Sequence, residues 1–183
     1  MKYLSRAFIE NIISYGIIAA LLIIIVRAAV YLFDVNQTNV SFSLLNFVYN
    51  IVVLFLCLYL GTVAYRKKTV AGNMSYRKGL LICITISLIA IFIIYVYDIV
   101  FHFFIAPDYL SNIIKPQIDA IIINPSISSG QKMELMEKMD KYSSPLYSSS
   151  MNALMSFGLS IMISMITAIF TVRKRPIIVN NEQ

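Results

Sequence analysis

The chain has one histidine, two cysteines and no tryptophan, and these scarcities exclude several kinds of site. With a single histidine, neither a His-rich metal site nor an HExxH zinc motif is available. Cys57 and Cys83 each stand alone inside an apolar run, so we expect them to be small buried hydrophobic residues. No GxSxG, P-loop or GxGxxG sequence occurs either. We therefore expect no enzyme activity, no cofactor and no bound metal.

Charged residues are also few, at 13% of the chain, whereas hydrophobic residues make up 59%. Average globular domains are about 25% charged and about 45–50% apolar. The apolar excess lies in four long runs, which predicts that the bilayer is the solvent. A net charge of +6 suggests nucleic acid as a partner in a soluble chain, but here the basic residues border the apolar runs. We therefore expect a lipid bilayer, and no nucleic acid, as the partner.

Four apolar runs are long enough to cross a bilayer as α-helices. At about 1.5 Å per residue, about 20 residues cover a hydrocarbon core of about 30 Å. The predicted spans are residues 7–33, 42–65, 79–105 and 148–172. The predicted fold class is therefore all-α, an integral membrane protein of four transmembrane helices. Residues 1–183 are expected to form a single membrane domain.

Lysine and arginine are distributed unevenly among the connections between these spans. The amino end has two, the link 66–78 has five and the carboxyl end has three, whereas the connection between the first two spans has none. Because these residues favour the cytoplasmic side, both termini are predicted in the cytoplasm and segment 106–147 outside it. In a bacterium, such a protein is a multi-pass protein of the inner membrane.

Segment 106–147, between the third and fourth spans, is polar and too long to be a simple turn. Pro107 suits the first turn of a short helix, which Pro116 is expected to interrupt. Ser128 and Gln131 match a capping box at the start of a second helix. That helix is expected to cap the outer ends of the spans or to lie on the lipid surface. Alternatively, its methionines form an adaptable surface for a protein partner.

Four acidic, basic or histidine residues fall inside the predicted spans, where charge is rare and costly, and all but Glu10 lie towards the outer ends. Arg27 lies seven residues before Asp34, where the first connection begins, and Asp98 lies seven residues before Ile105, so both are at a depth of about 10 Å. Opposite charges at matched depth predict a contact between them. His102 follows Asp98 by four residues and shares its helix face. One interpretation is structural: Arg27 and Asp98 form an ion pair, or the Arg27 side chain reaches up to the membrane interface. The other is functional: Asp98 and His102 form an outward-facing polar site that exchanges a proton or holds a cation.

The fourth span carries a stripe of small residues at four-residue intervals. Such residues let helix backbones approach closely and hydrogen-bond to one another in lipid. The stripe is expected to pack inside the bundle, or to form a homo-oligomer seam or a pore lining. Its members are Asn152, Ser156, Ser160, Ser164 and Ala168.

Two short motifs, at the entrance to and exit from the third span, resemble a known bacterial family. Residues 72–79 are Gly-Asn-Met-Ser-Tyr-Arg-Lys-Gly, and residues 104–109 are Phe-Ile-Ala-Pro-Asp-Tyr. They resemble the entry and exit motifs of small inner-membrane proteins, common in Bacteroidota, in the domain-of-unknown-function family numbered 4199. The resemblance implies four spans and a helix-bearing polar segment before the last one. It brings no established activity and no catalytic residue.

The leading functional hypothesis is an accessory or assembly component that contacts a membrane or periplasmic protein through residues 106–147. The alternative is a small transporter or channel that uses Arg27, Asp98 and His102 in an outward-facing polar cavity, with an oligomer formed through the fourth span. A cavity reaching past Asp98 towards the cytoplasm would favour transport. A closed bundle with Arg27 and Asp98 in contact would favour the interaction role.

Overall fold

The computed structural model describes residues 6–33, 40–69 and 74–172, which form six α-helices and no strand within those ranges. The four long helices are α1 (Arg6–Leu32), α2 (Val40–Thr69), α3 (Tyr76–Val100) and α6 (Pro145–Thr171). The two shorter helices are α4 (Tyr109–Ile123) and α5 (Ser129–Ser143). A π-helical turn at Phe101–Ile105 continues α3. The predicted all-α fold class is confirmed.

Four stretches of helix are long and apolar enough to cross a membrane. They are Ile9–Leu32, Val40–Lys67, Tyr76–Ile105 and Pro145–Thr171. Large apolar side chains such as Phe92 and Phe170 lie exposed on the outside of these helices. Lipid suits such a surface, and a helix pairs its own backbone polar groups where no water is present. The protein is therefore a multi-pass membrane protein built as a helical bundle.

Helix α3 is the centre of the bundle, because it packs against α1, α2 and α6. We call the end where α1 begins and α6 ends the terminal end, and the opposite end, which carries α4 and α5, the hairpin end. Small residues allow the close packing: a Cβ on Gly16 of α1 would come within 2.8 Å of Cγ2 of Ile89 on α3. The middle of the bundle is filled by a buried cluster of Ala19, Ala20, Ile23, Val53, Cys57 and Ala90. A second cluster fills the terminal half and includes Ile12, Leu58, Ile82, Cys83, Ile86 and Ile163.

Three of the spanning helices extend beyond their predicted ends. Helix α2 continues past residue 65 to Thr69, because Arg and Lys are good helix formers. Arg66 also donates from Nη1 to the carbonyl of Thr171, at 2.8 Å, where α6 ends. Helix α3 begins at Tyr76 instead of residue 79. Helix α6 begins at Pro145 instead of residue 148, since proline suits the first turn of a helix.

Helices α4 and α5 form a hairpin, and the prediction that Pro116 interrupts the first of them is wrong. Helix α4 is continuous through that proline. A proline removes one amide donor and crowds the carbonyl four residues earlier. Asn112 and Pro116 are both exposed, so solvent can satisfy that carbonyl. Pro107 precedes the helix, with Asp108 as its N-cap, instead of lying in the first turn.

The predicted capping box at the start of α5 is present. The Ser128 hydroxyl accepts from the backbone N–H of Gln131, whose side chain accepts from the backbone N–H of Ser128. Lys132 donates from Nζ to the carbonyl of Ile122, at 2.6 Å, and so joins the start of α5 to the end of α4. No residue of α5 is buried. The helix packs against α4 and α6 and leaves most of its surface exposed.

Several predicted features lie outside the described residues. They are most of the basic amino end, most of the connection between α1 and α2, the first two residues of the entry motif (Gly72 and Asn73), and the basic residues after Val172. The side of the membrane on which each end lies therefore stays a prediction from the lysine and arginine distribution.

Candidate functional site

Arg27, Asp98 and Asn152 meet in the hairpin half of the bundle, one from each of α1, α3 and α6. Arg27 donates from Nη1 to both carboxylate oxygens of Asp98, at 2.6 Å and 2.8 Å. Asn152 donates from Nδ2 to Oδ2 of Asp98, at 2.9 Å. Asp98 itself is only 7% exposed. The contact predicted between Arg27 and Asp98 is thus present, and an amide from a third helix completes it.

The depth of the three residues explains why they meet. Arg27 lies five residues before the end of α1, Asp98 seven before the end of the π-helical turn, and Asn152 seven after the start of α6. At about 1.5 Å per residue, each is about 7–11 Å inside the bundle. Taking a charge out of water is costly unless an opposite charge and further hydrogen bonds compensate it. The Asp98 carboxylate receives both kinds of compensation.

His102 lies one turn beyond Asp98, in the π-helical turn. The backbone N–H of Ala106 donates to the carbonyl of Phe101, at 2.8 Å, which gives this turn its wide spacing. Such turns are rare and occur frequently at functional sites. Nδ1 of His102 is buried and has no hydrogen-bond partner among the residues that the structure describes.

A cluster of aromatic rings seats α4 on the hairpin end of the bundle. The ring of Tyr109, the first residue of α4, stacks on His102 with centroids 5.8 Å apart. The same ring makes edge contacts with Phe101 and with Tyr31 of α1. Edge-to-face and offset pairs of this kind stabilise by about 0.5–1.5 kcal/mol beyond the area that they bury. The hairpin is therefore fixed to the bundle next to His102.

Two cavities lie on either side of Asp98, His102 and Asn152, which line both of them. The first, the α1–α4 cavity, has a volume of about 300 Å³ and also contacts Arg27, Val30, Asn46, Tyr97, Phe101, Tyr109, Leu110 and Ile113. The second, the α5–α6 cavity, has a volume of about 240 Å³ and also contacts Tyr142, Ser148, Ser149, Met151 and Met155. His102 and Asp98, predicted to share a helix face, do face the same two spaces.

Neither cavity includes a lining residue from the terminal half of the bundle. Beyond Arg27 and Asp98, the middle of the bundle is filled by the cluster around Ala19, Cys57 and Ala90. Within the described ranges, the polar site is therefore open towards the hairpin end and closed by packed side chains towards the terminal end.

The small-residue stripe of α6 packs inside the bundle over most of its length. Ser160, Ser164 and Ala168 are buried, with exposures of 1%, 0% and 0%, and Ser156 is half-buried. Ala168 lies where α6 passes Gly79 of α3. The three buried side chains are covered within the chain, so packing accounts for them without a second copy. The fifth member, Asn152, belongs to the polar site.

The sequence did not identify two residues of the site in this role. Asn152 was assigned only to the packing stripe, although its distance from the start of α6 matches the depth of Asp98. Ser149 was not singled out, because one serine in a serine-rich helix start carries no distinctive signal. Within the described part of the chain, no group of three or more His, Cys, Asp or Glu residues could hold a metal ion.

The fold and the site together define the class: a multi-pass membrane bundle with a polar cluster set inside one end. The chain belongs to the family described as Protein of unknown function (DUF4199), whose model matches residues 14–173. Comparison with curated proteins and with solved structures gives no significant match. The family brings no activity, so function has to be argued from the geometry.

Proposed function

We propose that the protein is an accessory membrane protein that acts through contacts of its α4–α5 hairpin and does not carry solutes through its bundle. The observation that supports this proposal is the closure of the bundle. Arg27 and Asn152 both bond to Asp98, and neither cavity extends deeper than Met155, three residues beyond Asn152 on α6 and still in the hairpin half. A carrier needs a site that can open to either side in turn, whereas this one is closed towards the terminal end by a packed core.

The hairpin has the features of a contact surface. Ile122 and Ile123 at the end of α4, and Met133 in α5, expose large apolar side chains. On α5, Nζ of Lys138 lies 2.6 Å from Oε1 of Glu134, and Nζ of Lys141 lies 3.0 Å from Oε1 of Glu137. Hydrogen bonding and charge from Lys138 lower the pKa of Glu134, which is consistent with a formed pair. The surface thus combines an apolar tip with paired charges of both signs.

The charge of the hairpin favours a protein over the lipid surface as its partner. Four lysines and four acidic residues lie between Tyr109 and Ser143, so α4 and α5 together carry no net charge. Helices that lie on anionic membranes are typically rich in lysine and arginine on their polar face. We therefore propose that the partner is a membrane or periplasmic protein, on the side that the lysine and arginine distribution assigns to this segment.

Photo-crosslinking tests this proposal. A photoreactive residue at Met133 or Ile123 is expected to give one protein adduct, identified by mass spectrometry as the same partner from both positions. The same residue at Phe92, which is 67% exposed on a spanning helix, is the control and should not give it. The partner carrying a photoreactive residue should label this chain in return. Adducts to lipid only, or an identical pattern from Phe92, would contradict the proposal.

Transport is the second candidate, and one observation favours it. The buried Asp98 lies beside His102 between two cavities that are open at the hairpin end. A carboxylate and a histidine in such a position are the groups that proton-coupled transporters use. This candidate requires water or solute to reach the terminal half of the bundle in some state of the protein.

A further inference from the structure

Two buried polar atoms at the α5–α6 cavity have no hydrogen-bond partner among the described residues, Nδ1 of His102 and Oγ of Ser149. Both residues line this cavity. Ser149 is only 2% exposed. Buried polar groups in proteins are hydrogen-bonded in the great majority of cases. The residues lining this cavity therefore include one hydroxyl and one imidazole whose hydrogen-bonding capacity is unused within the described part of the chain, and a small side-chain rotation towards the cavity would let them bond to a guest.

The charge at this cavity favours a neutral guest. Asp98 is the carboxylate among the lining residues, and Arg27 and Asn152 already bond to it. Because the guanidinium and the carboxylate neutralise each other, the lining residues offer an ionised guest no counter-charge to offset the loss of its own hydration. A hydroxyl or carbonyl group bonds to a serine hydroxyl and an imidazole nitrogen without that cost.

The position of the cavity favours a guest that comes from the bilayer. Met151 and Met155 form its apolar side, and Met155 is 63% exposed on the outer surface of α6. Both residues lie within a stretch that is long and apolar enough to span the membrane. Methionine is flexible and adapts to apolar chains of varied shape. The cavity therefore extends from buried polar atoms to the surface that faces lipid.

We propose that the α5–α6 cavity binds a neutral amphiphile from the bilayer through a hydroxyl or carbonyl head group. The head bonds to Ser149 and His102, and the alkyl chain leaves past Met155 into the lipid. Tyr142 of α5 covers the hairpin side of the site. This site is separate from the exposed tip of the hairpin, so the proposal does not depend on whether the hairpin binds a protein.

Photolabelling of the full chain in phosphatidylcholine nanodiscs tests the proposal. The probe is a twelve-carbon primary alcohol with a diazirine in its chain, and peptide mass spectrometry locates the adducts. Adducts are expected on Met151, Met155 and Tyr142. Excess 1-dodecanol should remove them, whereas excess dodecane, which has no head group, should not. Equal competition by dodecane, or labelling spread evenly over the lipid-facing surface, would overturn the proposal. This experiment needs only the unaltered chain.

Two variants then test the hydrogen-bonding groups. Ser149→Ala is expected to lower the labelling by about two- to tenfold, the range of one net hydrogen bond. His102→Phe keeps a ring against Tyr109 but removes Nδ1, and a similar loss is expected. Ser164→Ala is the matched control, since Ser164 is also buried on α6 with an unpaired Oγ among the described residues, yet lines neither cavity. Unchanged labelling in both test variants would overturn the proposal.

Discussion

Replacing Asp98 by alanine is expected to lower the free energy of unfolding by up to about 3–5 kcal/mol, the effect of removing one partner from a buried ion pair, with the Arg27 side chain 27% exposed and so partly screened. The change leaves the Arg27 guanidinium inside the bundle without its counter-charge and leaves the Asn152 amide without its acceptor. Equilibrium unfolding in mixed micelles, followed by far-ultraviolet circular dichroism, measures the loss. The free energy of unfolding of the variant is compared with that of the unaltered chain in the same micelles.

Three further variants separate the charge from the packing at this position. Asp98→Asn keeps the shape and a carbonyl acceptor, so an intermediate loss is expected. Arg27→Met combined with Asp98→Leu removes both charges, and we expect it to recover much of the stability, as apolar replacements of buried pairs do. Asp140→Ala removes an exposed carboxylate of α5 and should change the stability by no more than about 0.5 kcal/mol. A loss below about 1 kcal/mol in Asp98→Ala would contradict the ion pair.

Gly16→Ala is expected to destabilise the bundle although alanine is the better helix former. The added Cβ would lie 2.8 Å from Cγ2 of Ile89 and 3.1 Å from the carbonyl oxygen of Ile86. Ile89 is β-branched and stiff, and a backbone oxygen cannot turn away. Helices α1 and α3 would therefore have to separate. Overpacking of this kind typically costs about 1–3 kcal/mol, and Gly16→Leu should lose more than Gly16→Ala.

Gly158→Ala is the matched control for this prediction. A Cβ there meets nothing within 4 Å in the described part of the chain. Only the helix propensity changes, and it favours alanine by up to about 1 kcal/mol. The two substitutions are therefore expected to have opposite signs in the same unfolding measurement. A neutral or stabilising Gly16→Ala would show that α1 and α3 are not in close contact at this point.

The ion pair could be predicted because two physical constraints apply to every spanning helix. The rise per residue is constant, and the bilayer fixes where the apolar stretch ends. Counting inward from the ends therefore places Arg27 and Asp98 at one depth, and charge complementarity supplies the contact. The same count applied to α6 would have placed Asn152 beside them.

Other features depend on contacts that a sequence does not display. The π-helical turn around His102 is seen in backbone hydrogen bonding, as between the N–H of Ala106 and the carbonyl of Phe101, and no residue type marks it. Helix α4 continues through Pro116 because that side of the helix is exposed, which depends on how the hairpin lies. Ser149 becomes noticeable only through its burial and its unpaired hydroxyl.

Cysteine accessibility tests most directly whether the bundle is closed beyond Asp98. In a chain with Cys57 and Cys83 replaced by alanine, Ser148→Cys places a thiol on the half-buried wall of the α5–α6 cavity, and Ser164→Cys places one in the packed terminal half. A membrane-impermeant thiol reagent is expected to modify Ser148→Cys from the hairpin side and to leave Ser164→Cys unmodified from either side. Modification of Ser164→Cys in the folded protein would mean that water crosses this level, and would contradict the closed bundle in favour of transport.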